Sequence, residues 1–312
     1  MLQTQNEMKP KIAKQRASWL IGGIALLVMS VGLLFACGYQ QISPSRGDGT
    51  APISLLPYLL LIAILLGLIR LLPAGQTGAL AEEMRPQMKK GTYLLIGYTL
   101  VLPWLLLLAQ ILWGQDGYFF AKVLLILVYS CILFLSSRHK PLENEKSTRS
   151  LRRWLIPCIV ILAYCLLTSG GFFAISATRI PGLSKETWLD YLVLSLVTNI
   201  LTAGIAEELL YRKLLQTRLE LLFGHGNGIA LAAFLFAWMH FPTRFQSAWL
   251  GQTGQPLLDA LLALAAVVSF QGAMGVLFGY FWFRYRNFWL SALFHTLANV
   301  LPFLLSLKEV ML

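Results

Sequence analysis

Long apolar runs alternate with short polar breaks along the whole of this 312-residue chain. A helix that crosses a bilayer needs about 20 consecutive, mostly apolar residues. By that measure the chain predicts helices over 18–37, 53–72, 92–113, 118–136, 154–176, 188–211, 228–240, 257–283 and 287–307. The seventh run is short, so it either ends inside the protein or is extended at one end, and the expected total is eight or nine helices. Hydrocarbon offers the backbone no hydrogen-bond partner, so a chain inside it satisfies its own amides as helix. The pattern therefore predicts an all-α fold, a polytopic bundle of transmembrane helices.

Composition strengthens this reading. The chain is 57% hydrophobic and 12% charged, about half the charged fraction of a soluble domain, and its mean hydropathy is +0.67. The first apolar run, Trp19 to Cys37, follows Lys9, Lys11, Lys14 and Arg16. It is longer than the roughly 7–15 apolar residues of a cleaved signal, so it reads as the first span. The four cysteines, Cys37, Cys131, Cys158 and Cys165, lie in or at the ends of apolar runs, without zinc-site or disulfide-framework spacing. They read as packing residues.

The net charge of +11 is a statement about topology. Placing the amino terminus, 73–91, 138–153, 212–228 and 284–286 on one side gathers 19 of the 25 lysines and arginines there, with Arg70 counted at its helix end. The positive-inside rule makes that side cytoplasmic. The remaining basic residues are Arg46, Lys122, Arg179, Lys185, Arg244 and Lys308. The expectation is a multi-pass integral protein of the plasma (inner) membrane with a cytoplasmic amino terminus, its charge facing anionic lipid head groups. No basic stripe is interleaved with stacking aromatics, so nucleic acid is not an expected partner. The loop Arg138-His139-Lys140-Pro141-Leu142-Glu143-Asn144-Glu145-Lys146 is the most polar break. It divides the chain into an amino-terminal region, 1–150, of about four helices and a carboxy-terminal domain, 151–312, that holds every motif.

Three stretches of that second half place ionisable or amide side chains on apolar helices: Glu207-Glu208-Leu209-Leu210-Tyr211-Arg212, Phe236-Ala237-Trp238-Met239-His240 and His295-Thr296-Leu297-Ala298-Asn299. Such residues at membrane depth are costly and usually face a bundle interior or a water-filled cavity. Four apart on a helix is one face, so Glu208 and Arg212 are spaced to pair, acid first, while Glu207 lies about 100° around and is left to face a site. Taken alone, the stretch also fits two interfacial glutamates beside a snorkelling arginine. Phe236 and His240 share a face, and a histidine there serves either as a hydrogen-bonded core residue or as a catalytic one. His295 and Asn299 present an imidazole and an amide side by side, a pair able to donate two hydrogen bonds to one oxygen or to glue helices together.

With a rise of about 1.5 Å per residue, Glu207 lies roughly 9 Å above the basic end of its helix, and His295 and Asn299 roughly 13 and 19 Å above Arg286. The expected site is therefore between the cytoplasmic surface and the midplane. Asn199 lies eight positions before Glu207 on a neighbouring face, suited to helix packing or to lining the same cavity. Glu82-Glu83 reads as a solvated loop and Gly224-His225-Gly226-Asn227-Gly228 as a turn, since the latter lacks the Lys-Ser/Thr and preceding strand of a phosphate cradle.

The ordered set Glu-Glu-x-x-x-Arg, Phe-x-x-x-His and His-x-x-x-Asn on separate membrane helices resembles the CPBP (ABI) family of intramembrane proteases. That family includes the type II CAAX prenyl endopeptidases and the bacteriocin-processing or self-immunity proteins. The resemblance covers roughly residues 188 to 305, with a polar interval after His240, Phe241 to Gln255, longer than the family pattern. Residues 1 to 150 show no resemblance. It implies an endopeptidase acting on a peptide or protein at the membrane. Glu207 would be the general base and His240 its partner in activating a water, and His295 and Asn299 would stabilise the oxyanion, with Glu208, Arg212 and Phe236 in support. A carboxylate out of water is a stronger base, which suits the implied role of Glu207. No cofactor or metal is implied.

Two other classes use the same residues. A zinc metalloprotease would need ligands of the Glu and His type, but His-Glu-x-x-His is absent and asparagine is an uncommon ligand. A non-catalytic scaffold or immunity protein would use the polar cluster to hold a peptide or partner protein.

Overall fold

The computed structural model describes residues 8–42, 52–74, 86–136, 152–169, 185–249 and 253–311. The polar loop from Arg138 to Lys146 and the pair Glu82-Glu83 lie outside them. The fold is all-α apart from a two-residue ladder in which β1 (Gln41–Ile42) pairs antiparallel with β2 (Ile53–Ser54). The helices are α1 (Met8–Ala36), α2 (Leu55–Leu71), α3 (Pro86–Lys122), α4 (Tyr129–Ser136), α5 (Arg152–Ser169), α6 (Lys185–Asn199), α7 (Thr217–Phe223), α8 (His225–Trp238), α9 (Phe241–Trp249), α10 (Pro256–Val267), α11 (Ala273–Tyr285) and α12 (Phe288–Met311). Wider π-helical segments join several of them: Val123–Val128, Ile200–Ile205, Glu208–Gln216 and Val268–Gly272.

Four stretches among the described residues are long and apolar enough to cross a membrane: Ser18–Ala36, Lys89–Ser136, Leu192–Phe223 and Pro256–Tyr285. Three shorter apolar helices, Leu55–Leu71, Trp154–Thr168 and Phe288–Leu301, accompany them. The chain is a polytopic membrane protein. Its outward faces carry exposed Ile21, Val28, Leu94, Ile111, Leu162 and Leu194, as a lipid solvent requires.

Lys89–Ser136 has 48 residues, about 72 Å if straight, more than twice the hydrocarbon thickness. It is folded. Gly114 has φ 70° and ψ −158°, outside the helical region, and a Cβ on Gly117 would lie 2.7 Å from the carbonyl oxygen of Ala109. Residues eight apart come this close only where the chain reverses, so the two helices expected over 92–113 and 118–136 exist and meet at a glycine turn. At the other expected turn, Gly224 at φ 81° reverses the chain by itself and α8 begins at His225.

The chain forms two compact units that draw on both halves of the sequence: Met1–Cys37, Ala79–Trp104 and Tyr211–Gly279 make the first, and Gly38–Gly78, Leu105–Leu210 and Tyr280–Leu312 the second. In the first, α1 packs on α8 and α10. Gly23 faces Ala230, and the amide of Leu20 donates to Asn227 Oδ1 at 3.0 Å. A Cβ on Gly275 would stand 3.1 Å from Ala233 Cα, the close approach that small residues permit between membrane helices.

In the second unit, α12 packs on α5, α6 and the π segment Ile200–Ile205, and the π segment Val123–Val128 packs on that same segment. Phe294 meets Tyr164 and Phe281 edge to face, with centroids 5.3 and 5.2 Å apart. Gly204 is the tight point: a Cβ there would collide with Thr296 Oγ1 and stand 2.8 Å from the carbonyl oxygen of Ala292. Only glycine lets α12 come this near, one turn from His295.

Candidate active site

Glu207 and Glu208 sit where the helix from Lys185 leaves one π segment and enters the next. Single-turn π geometry is uncommon and recurs at functional sites, because it re-aims side chains. Here both carboxylates reach one imidazole. His295 Nδ1 lies 2.9 Å from Glu208 Oε1, and His295 Nε2 lies 3.7 Å from Glu207 Oε2. All three side chains are buried, at 2%, 0% and 3% exposure for Glu207, Glu208 and His295. The nearer contact assigns Nδ1–H as donor to Glu208, which fixes the ring's orientation. The Nε2 separation exceeds a direct hydrogen bond.

Helix geometry predicts that Glu207 and Glu208 serve different faces, and the structure modifies this. A π-helical turn rotates less per residue, and an imidazole carries nitrogens on two sides, so adjacent carboxylates meet the same ring. Nor is Glu207 left to face the site alone. Lys122 Nζ lies 2.6 Å from Glu207 Oε1, with side-chain exposures of 14% and 2%. Sequence reasoning missed Lys122, counting it only among the basic residues left over from the cytoplasmic loops. The signal was there: it stands alone in the apolar run 118–136, where a cation needs a partner.

Asn299, one turn beyond His295 on α12, donates through Nδ2 to Asn199 Oδ1 at 3.2 Å. Asn199 in turn donates to the carbonyl oxygen of Ser195 at 2.8 Å. Asn199 thus holds the amide of Asn299 from the neighbouring helix, the packing role the sequence allowed. The second unit therefore brings together Glu207, Glu208, His295 and Lys122 on three stretches of chain, while Asn299, one turn beyond His295, is exposed and bonds Asn199.

The other motif residues belong to the first unit. His240 follows the end of α8, its amide bonding the carbonyl oxygen of Ala237 at 3.0 Å. Its Nδ1 lies 3.0 Å from the carbonyl oxygen of Phe236. A carbonyl only accepts, so Nδ1 is the donor in this contact. Phe236 supports it edge to face at 5.2 Å. The guanidinium of fully buried Arg212 lies 5.0 Å over the Phe236 ring and 6.0 Å from that of Phe278. Below this, Gln216 Nε2 donates to Glu220 Oε1 and to the Gly279 carbonyl, both at 2.8 Å, tying α11 to the foot of the motif helix.

Residues 189–301 match the family model described as type II CAAX prenyl endopeptidase, Rce1-like. This segment is similar to the Rce1-like endopeptidase family. The matched range contains Glu207, Glu208, Arg212, Phe236, His240, His295 and Asn299. Lys122 lies outside it. No curated protein and no solved structure matches the chain. Among the described residues, no three His, Cys, Asp or Glu side chains form a group that could hold a metal ion.

Proposed function

We propose that this protein is an intramembrane endopeptidase that hydrolyses a peptide bond with an activated water. The observation that carries the reading is the buried cluster of Glu207, Glu208 and His295 inside an Rce1-like endopeptidase segment. Glu207 takes a proton from water as the oxygen attacks the substrate carbonyl. His295, oriented by Glu208, faces the oxyanion with Nε2, and Asn299 donates beside it once its amide exchanges Asn199 for substrate. Collapse breaks the C–N bond and Glu207 returns its proton to the leaving amine. His240 is the second water-activating residue through its place in the motif.

The substrate is a peptide or protein segment at the membrane, either a CAAX tail or a leader peptide. The amino terminus and the basic loops are cytoplasmic, in the plasma (inner) membrane. The test is turnover by the full-length protein in lipid nanodiscs, using a farnesylated CAAX peptide and an unmodified leader peptide. Glu207→Gln keeps side-chain volume but removes the base, so cleavage falls by ~10²–10⁴-fold while membrane insertion is unchanged. A chelator leaves the parent rate unchanged. Loss of turnover reversed by added zinc moves the metalloprotease reading ahead, and peptide binding without turnover moves the scaffold or immunity reading ahead.

A further inference from the structure

The ion pair between Lys122 and Glu207 joins the Rce1-like segment to a helix that precedes it. We propose that Lys122 is a positioning residue of the peptidase site: its ammonium keeps Glu207 ionised and holds Oε1, so that Oε2 is presented to water on the His295 side. A lone carboxylate at membrane depth tends to take up a proton rather than remain charged, and a protonated carboxyl accepts no proton from water. An ammonium at 2.6 Å removes that tendency. The geometry adds direction, since Lys122 occupies Oε1 while Oε2 faces His295 Nε2 at 3.7 Å. The π segments that begin one residue after Lys122 and end two before Glu207 pack on each other, which sets the two side chains at one level. Among the described residues, the charged and titratable groups around Glu207 include Lys122 from the helix ending at Ser136, His295 from α12 and Glu208 beside it; Tyr118 lies near Lys122.

This role gives residues 105–136 a part in the chemistry. It rests on the proposed function only in taking Glu207 as the base, so the experiment reads ionisation separately from turnover. Infrared spectra of the full-length protein in nanodiscs are recorded across pH, and the protonated-carboxyl band of Glu207 is identified by its loss in Glu207→Gln. Without the ammonium the charged form is less favoured, so in Lys122→Met the band's midpoint moves upward by ~1–3 pH units. In Lys122→Arg it stays near the parent's. With the farnesylated CAAX peptide, kcat of Lys122→Met falls by ~10²-fold with little change in KM, and its acid limb moves upward with the band. An unmoved infrared midpoint, or turnover equal to or above the parent's, overturns the proposal. If Lys122→Met does not accumulate, the Glu207→Gln/Lys122→Met double variant decides. Restored accumulation supports the pair, because it removes the buried charge left unpaired, and continued failure overturns it. A parent that cleaves neither peptide while the midpoint shifts as expected defeats the peptidase reading and leaves the pair standing.

Discussion

The Nδ1 of His295 lies 2.9 Å from the Oε1 of Glu208, across 87 positions of sequence. This contact makes Glu208 the residue that orients the imidazole, while Glu207 lies on the ring's other side. Glu208→Gln keeps the shape but replaces the charged acceptor facing His295 Nδ1 with a neutral amide, which holds the ring less well. Its expected effect is a loss in kcat between ~10- and ~10⁴-fold, with a weakened affinity for transition-state analogues and near-normal substrate KM. Steady-state kinetics on both glutamine variants check it. A Glu208→Gln enzyme with parental kcat removes this role.

Asn299 and Asn199 separate a donor from its holder. Asn299→Ala removes the oxyanion donor proposed above, so kcat is expected to fall by ~10²–10³-fold. Asn199→Ala leaves that donor in place but releases its amide from the neighbouring helix, so a loss of no more than ~10-fold is expected. Equal losses in the two variants would mean that the pair is structural glue and not part of the chemistry.

Gly204 sets the distance between α12 and the motif helix. The Cβ of Gly204→Ala would meet Thr296 and the Ala292 backbone, and overpacking of this kind costs about 1–3 kcal/mol. The thermal midpoint of the protein in detergent should fall, and kcat should fall with it as His295 is pushed from the glutamates. Full activity in a destabilised protein would show that the spacing is not critical to turnover.

Orientation follows from the basic loops. A cysteine introduced at Ser45 should react with an impermeant thiol reagent in intact cells, and one at Ser147 should not. Both positions lie outside the described residues. The reverse pattern would move the site to the outer half of the membrane and exclude cytoplasmic tails as substrates.

What the chain determines by itself is whatever depends on local composition and spacing. Apolar runs of span length made the helices legible, including the two that meet at Gly114, because a chain in hydrocarbon has helix as its open solution. The order of Glu207, His240, His295 and Asn299 on separate helices identified the Rce1-like segment for the same reason, since i, i+4 spacing is a property of one helix. Tertiary structure alone decided the partners. That Lys122 would close on Glu207, Glu208 on His295 and Asn199 on Asn299 depends on which helices adjoin and how each is rotated. Spacing along one helix carries no information about either. Rotation was further changed by the π segments around Glu207, which bring two adjacent carboxylates to one ring where an ideal helix turns them apart.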